Sequence, residues 1–396
     1  WNELFEKWKV KMEGVIRELK ELEVPSLSRL ESEEVVTESR GISSGYRLLD
    51  AYDRAIQNMF VAWQYHFEML NLGYAAYLNL FMFCKQAFPG IKDETIAQMV
   101  AGTDILFFRP DDELKKLAKL ALDLGVADRI RERGKRPEDI VAELAATPAG
   151  KQWVDAMEKV KDPWFYFSNG AGFYHHLRSW IDDLTVPWAA LTGYIDRLEK
   201  GESLDRPKQE ILDRRERVTA EYRDLLQTEE DRKTFDQNVG LARTVAGYIE
   251  DHNFYVEHWH HTVFWNKIRE FGDRLVEGGF LDDRDDLFYL NRWEVGQALY
   301  ELAATWATGA PPTGPRHWRR EVAERKRILE VLRSWAPVPA LGPVPDEISE
   351  PFTVLLWGIT TERVQQWLGA AGAPEDDVIK GVAGSPGVAE GTARVI

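Results

Sequence analysis

The chain is poor in cysteine: Cys84 stands alone among 396 residues. No intrachain disulfide can form, which excludes a disulfide-stapled scaffold and points to a reducing, cytoplasmic compartment. Basic charge is also short. Lys and Arg number 50 against 66 Asp and Glu, the net charge is -16, and no long basic run occurs. Nucleic-acid binding is disfavoured, because neutralising phosphates takes clustered cations. Long apolar runs are missing too. The richest stretch, NLGYAAYLNLFMFCKQAF at residues 71–88, is broken by Lys85 and Gln86, so it reads as a buried helix and not as a membrane span. No signal peptide is visible, although the chain begins at Trp1 and not at Met.

Aromatic side chains are abundant by contrast: 15 Trp, 18 Phe and 13 Tyr. Rings in such number serve either a wide helical core or a site for an apolar or aromatic small molecule. The length allows two or three domains.

Helical spacing dominates the pattern. Residues 1–23 place Leu4, Trp8, Met12, Val15, Ile16 and Leu19 on one stripe. Residues 43–88 can form one very long helix or two, with Gly73 as a possible break. Pro110 opens a helix where its missing N–H costs nothing. The segment KDPWFYFSNGAGFYHH (161–176) meets a Gly-rich turn and reads as a loop. The stretch from Glu229 to Gly279 is helical by period and charge. Strand signals come late, weakly at 351–358 and more clearly at 380–396, where Gly381, Gly384, Gly387 and Gly391 punctuate short β segments. The expected architecture is all-α: a helical domain over 1–370, a Gly/Ala/Pro/acidic linker over 371–378, and the first strands of a second, truncated domain over 379–396.

The late segment IKGVAGSPGVAEGTARVI resembles the first hairpin of the swivelling phosphohistidine domain of the PEP synthase and pyruvate phosphate dikinase superfamily. The pattern is carried by Gly381, Ser385, Pro386, Gly387, Gly391, Arg394 and Val395. Residues 250–295 resemble the helical segment that precedes this domain, through Arg269, Gly272, Leu275, Gly279, Asp285, Asp286, Phe288, Tyr289 and Leu290. In general character the chain is similar to the phenylphosphate synthases and related aryl or benzyl phosphorylating enzymes. The phosphohistidine motif, an ATP-binding Gly-rich loop and a PEP-binding barrel are all missing from the sequence. The resemblance therefore implies an acceptor-binding component that works with ATP and Mg²⁺ held on an ATP-grasp-type partner subunit or domain, with no cofactor firmly bound by this chain. The implied substrate is a small aromatic hydroxyl compound. The alternatives are a larger rifamycin-like acceptor, or a helical binding module without catalysis.

Four of the eight histidines, His252, His258, His260 and His261, cluster beside Asp251 and Glu257. On an α-helix Glu257 and His261 share a face, as do His258 and His261. Three readings compete. A metal site is weak, since no H-E-x-x-H pattern or distant third ligand is present. The rings can be satisfied polar groups in an aromatic helix. Or His258 or His261, assisted by Glu257, is a general base on an acceptor hydroxyl, a role that suits a side chain titrating near neutrality. Lys267, Arg269 and Arg274 follow on the same helix. They are candidates for contacting phosphate, or else an exposed face paired with Glu270, Asp273 and Glu277. Trp164, Phe165, Phe167 and Phe173 with His175 and His176 are the candidate pocket wall, completed by Phe81, Phe83 and Trp259, or else core packing.

Overall fold

The computed structural model describes residues 1–27, 30–206, 208–336, 346–348, 350, 353 and 359–370. The 371–378 linker, the 379–396 hairpin with its Ser-Pro-Gly motif, and all of 351–358 except Thr353 lie outside them. Trp1–Ile328 forms one compact unit and Leu329–Ile396 a second. Of the second, the described part includes a helix over Thr361–Ala370. Among the described residues the secondary structure is helical, relieved by one isolated antiparallel bridge, Ser168 to Ser179.

In the first unit, helix α1 (Asn2–Glu21) buries Phe5, Trp8, Met12, Val15, Ile16 and Leu19. Phe5 takes the place expected for Leu4, which is exposed. Helix α3 (Ser44–Ala87) is continuous over 44 residues, roughly 66 Å of axis. It follows α2, a single turn at Glu33–Val36. Gly73 does not break α3; it is the point where Ile249 of another helix packs closest.

That other element is a long rod made of α11 (Glu229–Asn253), a π-helical segment (Phe254–His260) and α12 (His261–Glu277). Tyr52 packs on Phe271, Asn58 bonds His260, His66 bonds His252 and Phe83 packs near Phe235. Numbers rise along α3 as they fall along the rod, so the two run antiparallel. α1 and α13 (Arg292–Thr308) complete this core, with Trp318 and Val322 from the next helix. Burying a large apolar side chain contributes about 1.5–3 kcal/mol, which makes this seam the main stabilising surface.

A second core lies in residues 109–199, built by α5 (Arg109–Asp123), α8 (Pro148–Trp164), α9 (Thr185–Glu199) and the short helices between α5 and α8. α5 opens with Pro110, as its sequence requires. The indole N–H groups of Trp153 and Trp188 donate to the carbonyls of Leu117 (2.9 Å) and Ile130 (3.0 Å), so these large rings are buried without orphaned donors. The loop 165–184 leaves this core and lies on the π segment of the first.

Candidate functional site

The family-like motif within residues 250–295 is a mechanical clasp. Arg269, 3% exposed, donates to Asp285 Oδ1 (2.8 Å), Asn266 Oδ1 (2.9 Å) and the His175 carbonyl (2.7 Å). Arg178 takes the other Asp285 oxygen. A Cβ on Gly272 would stand 2.3 Å from the Arg284 carbonyl, so only glycine lets the Arg284–Tyr289 turn approach α12. Phe288 stacks on His175 at 4.0 Å. Loop 165–184 is thereby pinned to α12 at one end.

The same loop meets the π segment at its tip. Gly172 has φ +81°, and a Cβ there would lie 2.0 Å from the Glu257 carbonyl. Phe167 stacks on His258 at 4.5 Å and Phe173 stands edge-on to His261 at 5.5 Å. From α3, Trp63 stacks on Phe173 (5.6 Å) and stands edge-on to both His66 (5.0 Å) and His261 (5.8 Å), with Phe67 beside it. These rings form an aromatic cluster, or cleft, between α3, the π segment and the loop tip, with Trp63 and Phe173 half-buried and Phe67 exposed at its rim.

Hydrogen bonds fix the tautomers in this cleft. The Ser168 N–H donates to His258 Nδ1 (2.9 Å), so neutral His258 carries its proton on Nε2 and is a donor. His261 is the opposite. Its Nδ1–H donates to the Val256 carbonyl five residues back (2.6 Å), a reach that the π geometry creates, and Nε2 keeps its lone pair. No hydrogen bond engages that Nε2 among the described residues, and the ring stands edge-on against Trp63 and Phe173. Burial pushes both rings down to about 4, so both are neutral at pH 7. Glu257 moves the other way: burial, with the Glu250 charge adding to it, pushes its carboxyl up to about 8. At neutral pH it holds its proton and cannot assist as a carboxylate, a correction to the role its spacing suggested.

His260 is core. It is fully buried, its Nε2–H donates to Asn58 Oδ1 (2.8 Å), and its Nδ1 is left without a partner. The basic residues of α12 are spent internally and do not present free charge as expected. Lys267 is buried and donates to the Leu22 carbonyl (2.7 Å) and Glu270; Arg269 holds the clasp; Arg274 pairs with Glu277. The aromatic wall is also smaller than expected. Phe165 is buried in the second core, and Trp164 packs against Phe254 beneath the π segment. Trp259 faces Lys20 and Tyr166, on the α1 side. Phe81 and Phe83 lie roughly 20–25 Å along α3 from His66, so they cannot wall this cleft. His175 belongs to the clasp, and His176 is exposed beside Tyr174.

Sequence reasoning missed Trp63, His66 and Phe67. A signal existed: Asn58 and His66 are polar members of the buried stripe of α3, otherwise made mostly of Ala, Leu and Met. An open groove of about 540 Å³ lies elsewhere, between α1 and α3. It is lined by charges such as Arg17, Arg47, Glu18 and Asp50, and does not reach the histidines. Among the described residues no three His, Cys, Asp or Glu converge to hold a metal ion, and no helix is long and apolar enough to cross a membrane.

No family model matches the chain. Over 263 residues, 66% of its length, the chain is 23% identical to a protein of Bacillus subtilis (strain 168) named as the uncharacterized phosphotransferase YvkC. The chain is thus distantly similar to a phosphotransferase. The match spans 28% of that relative, little more than a quarter of its length.

Proposed function

We propose that this chain binds the phosphoryl acceptor in an ATP-dependent phosphotransferase, and that the acceptor is a small aromatic compound bearing a hydroxyl, of the phenol, cresol or benzyl-alcohol type. ATP and Mg²⁺ belong to an ATP-grasp-type partner subunit or domain, and the donor is a phosphohistidine that this sequence does not contain. The observation that carries the reading is His261: a buried imidazole with Nδ1–H fixed on the Val256 carbonyl, Nε2 without a hydrogen-bond partner among the described residues, and Trp63 and Phe173 packed against its ring, with Phe67 beside Trp63. The distant similarity to a phosphotransferase supports it.

In this reading the acceptor ring lies among the aromatics and its hydroxyl donates to His261 Nε2. As the new O–P bond forms and the P–N bond of the phosphohistidine breaks, the hydroxyl proton passes to Nε2. The P–N electron pair stays on the donor imidazole. The burial that lowers the basicity of His261 is offset when an anionic phosphoryl group arrives, because nearby negative charge favours the imidazolium. His258, with its proton on Nε2, offers a donor and not a base. The apolar walls exclude the water that would otherwise take the phosphoryl group.

The test is product formation by the full-length protein with its ATP-binding partner, ATP and Mg²⁺, offered phenols, benzyl alcohols and rifamycins and followed by ³¹P NMR. An aryl or benzyl phosphomonoester is expected. Phosphorylation of rifamycins alone would transfer the reading to a large natural-product acceptor. No phosphomonoester from any of them would leave a binding module without catalysis.

A further inference from the structure

A second histidine borders the same cleft, and its proton can be placed. His252 Nδ1 lies on the Ile249 carbonyl, which can only accept, so Nδ1 carries the proton and Nε2 of the neutral ring is bare. That bare Nε2 is 3.1 Å from His66 Nδ1. His66 must then be the donor in this bond, with its proton on Nδ1 and its own Nε2 bare. A chain of two hydrogen bonds, from His66 through His252 to the helix backbone, fixes the tautomer of His66 as the single bond to Val256 fixes that of His261.

Both rings stand edge-on to Trp63, at 5.0 and 5.8 Å, and a charge on His261 is felt at His66. His66 is 5% exposed and His261 2%. Among the described residues neither Nε2 has a hydrogen-bond partner, and neither is sealed. Where solvent reaches them, water can serve both. Once a bound aromatic ring excludes that water, each buried lone pair without a donor costs about 1–3 kcal/mol. A plain phenol has one hydroxyl and can satisfy one of them.

We propose that the acceptor carries two hydrogen-bond donors, as a dihydroxybenzene or a hydroxybenzyl alcohol does. One hydroxyl meets His261 Nε2 and the other is held by His66 Nε2, with His252 as the positioning residue. This deepens the acceptor reading and rests on it. A site built to pair a substrate hydroxyl rejects the analogue that lacks it far more strongly than an apolar pocket rejects a missing methylene.

Calorimetry on the full-length protein without ATP tests this apart from any turnover. The ligands are phenol, benzyl alcohol, the three dihydroxybenzenes and the three hydroxybenzyl alcohols. At least one two-hydroxyl isomer should bind tenfold or more tightly than the one-hydroxyl compounds. In His66→Ala that preference should collapse. His252→Phe, which keeps a ring but removes the acceptor for His66 Nδ1–H, should reduce the preference by less. The wild-type comparison needs no variant to fold. Equal affinity for one- and two-hydroxyl compounds in the wild type would overturn this inference and leave the acceptor reading standing. A preference that survives in folded His66→Ala would do the same. No binding of any of them would overturn both.

Discussion

Two consecutive stretches of one helical rod, the π segment with His261 and the basic run of α12, carry the same kinds of residue to opposite ends. In α12 every candidate cation is spent: Lys267 on a backbone carbonyl and Glu270, Arg269 on Asp285 and loop 165–184, Arg274 on Glu277. At the π segment the hydrogen bonds use one nitrogen of His261 and leave the other on the cleft. Even neighbours diverge, since His260 is sealed against Asn58 while His261 faces Trp63 and Phe173. Residue type did not separate the clasp from the site. What separates them is whether a polar atom is already satisfied by the protein itself.

The contrast can be broken from the clasp side, where the largest effect on stability is expected. Arg269→Met removes the buried donor to the His175 carbonyl and one of the two arginines on Asp285, Arg178 keeping the other oxygen, and should cost about 3 kcal/mol of unfolding free energy. Urea unfolding checks this. A loss within 1 kcal/mol would mean that the clasp does not hold the loop.

On the site side, His261→Ala should lower turnover about a hundredfold or more, on the usual scale for a lost general base, with the fold retained by circular dichroism. His258→Ala should act differently. It orphans the buried Ser168 N–H and should cost about 1–3 kcal/mol of stability, with a smaller change in turnover. If His258→Ala abolished turnover and His261→Ala did not, the assignment of donor and base would be reversed.

Protonation gives a third handle. The folded protein holds His66, His258 and His261 near 4, below their ordinary 6.5. Between pH 4 and 6.5 the unfolded chain binds more protons at these rings, so stability rises with pH, by about 2 kcal/mol per ring from pH 5 to 7. Glu257 has the opposite sign. Raised from 4.5 to about 8, it makes stability fall as pH climbs between those values. A maximum near pH 6.5–7 follows, and Glu257→Gln should flatten the alkaline limb in thermal unfolding across pH. The smallest effect belongs to Arg274→Ala, whose three-apart pair with Glu277 is worth only about 0.3–0.5 kcal/mol.

Much of the helical frame was legible because periodicity and punctuation are local. Pro110 opens α5, the 229–279 stretch is helical, and SNGAG lies in a loop. Local rules could not say whether Gly73 ends a helix. It does not, since Ile249 on the partner helix fills the space a Cβ would take. The site was legible in part. The histidine cluster stood out, but α-helical spacing wrongly paired Glu257 with His261 as base and assistant. The π segment alters the register, and the low-polarity surroundings decide protonation, neither of which a helical wheel contains. His66 was hidden because its partners, His252 and Trp63, are recognisable only once α3 and the rod lie antiparallel.

His261 and His66 should each hold a proton on Nδ1 and keep a bare Nε2 beside Trp63. Long-range ¹H–¹⁵N correlation of the imidazole nitrogens at pH 7, in the full-length protein, reads this directly. Neutral Nδ1–H tautomers are expected for His66 and His261 and the Nε2–H tautomer for His258, with the Nε2 signals of His66 and His261 moving when a dihydroxybenzene is added. A charged ring or an Nε2–H tautomer at His261, unmoved by any aromatic hydroxyl compound, would contradict this assignment.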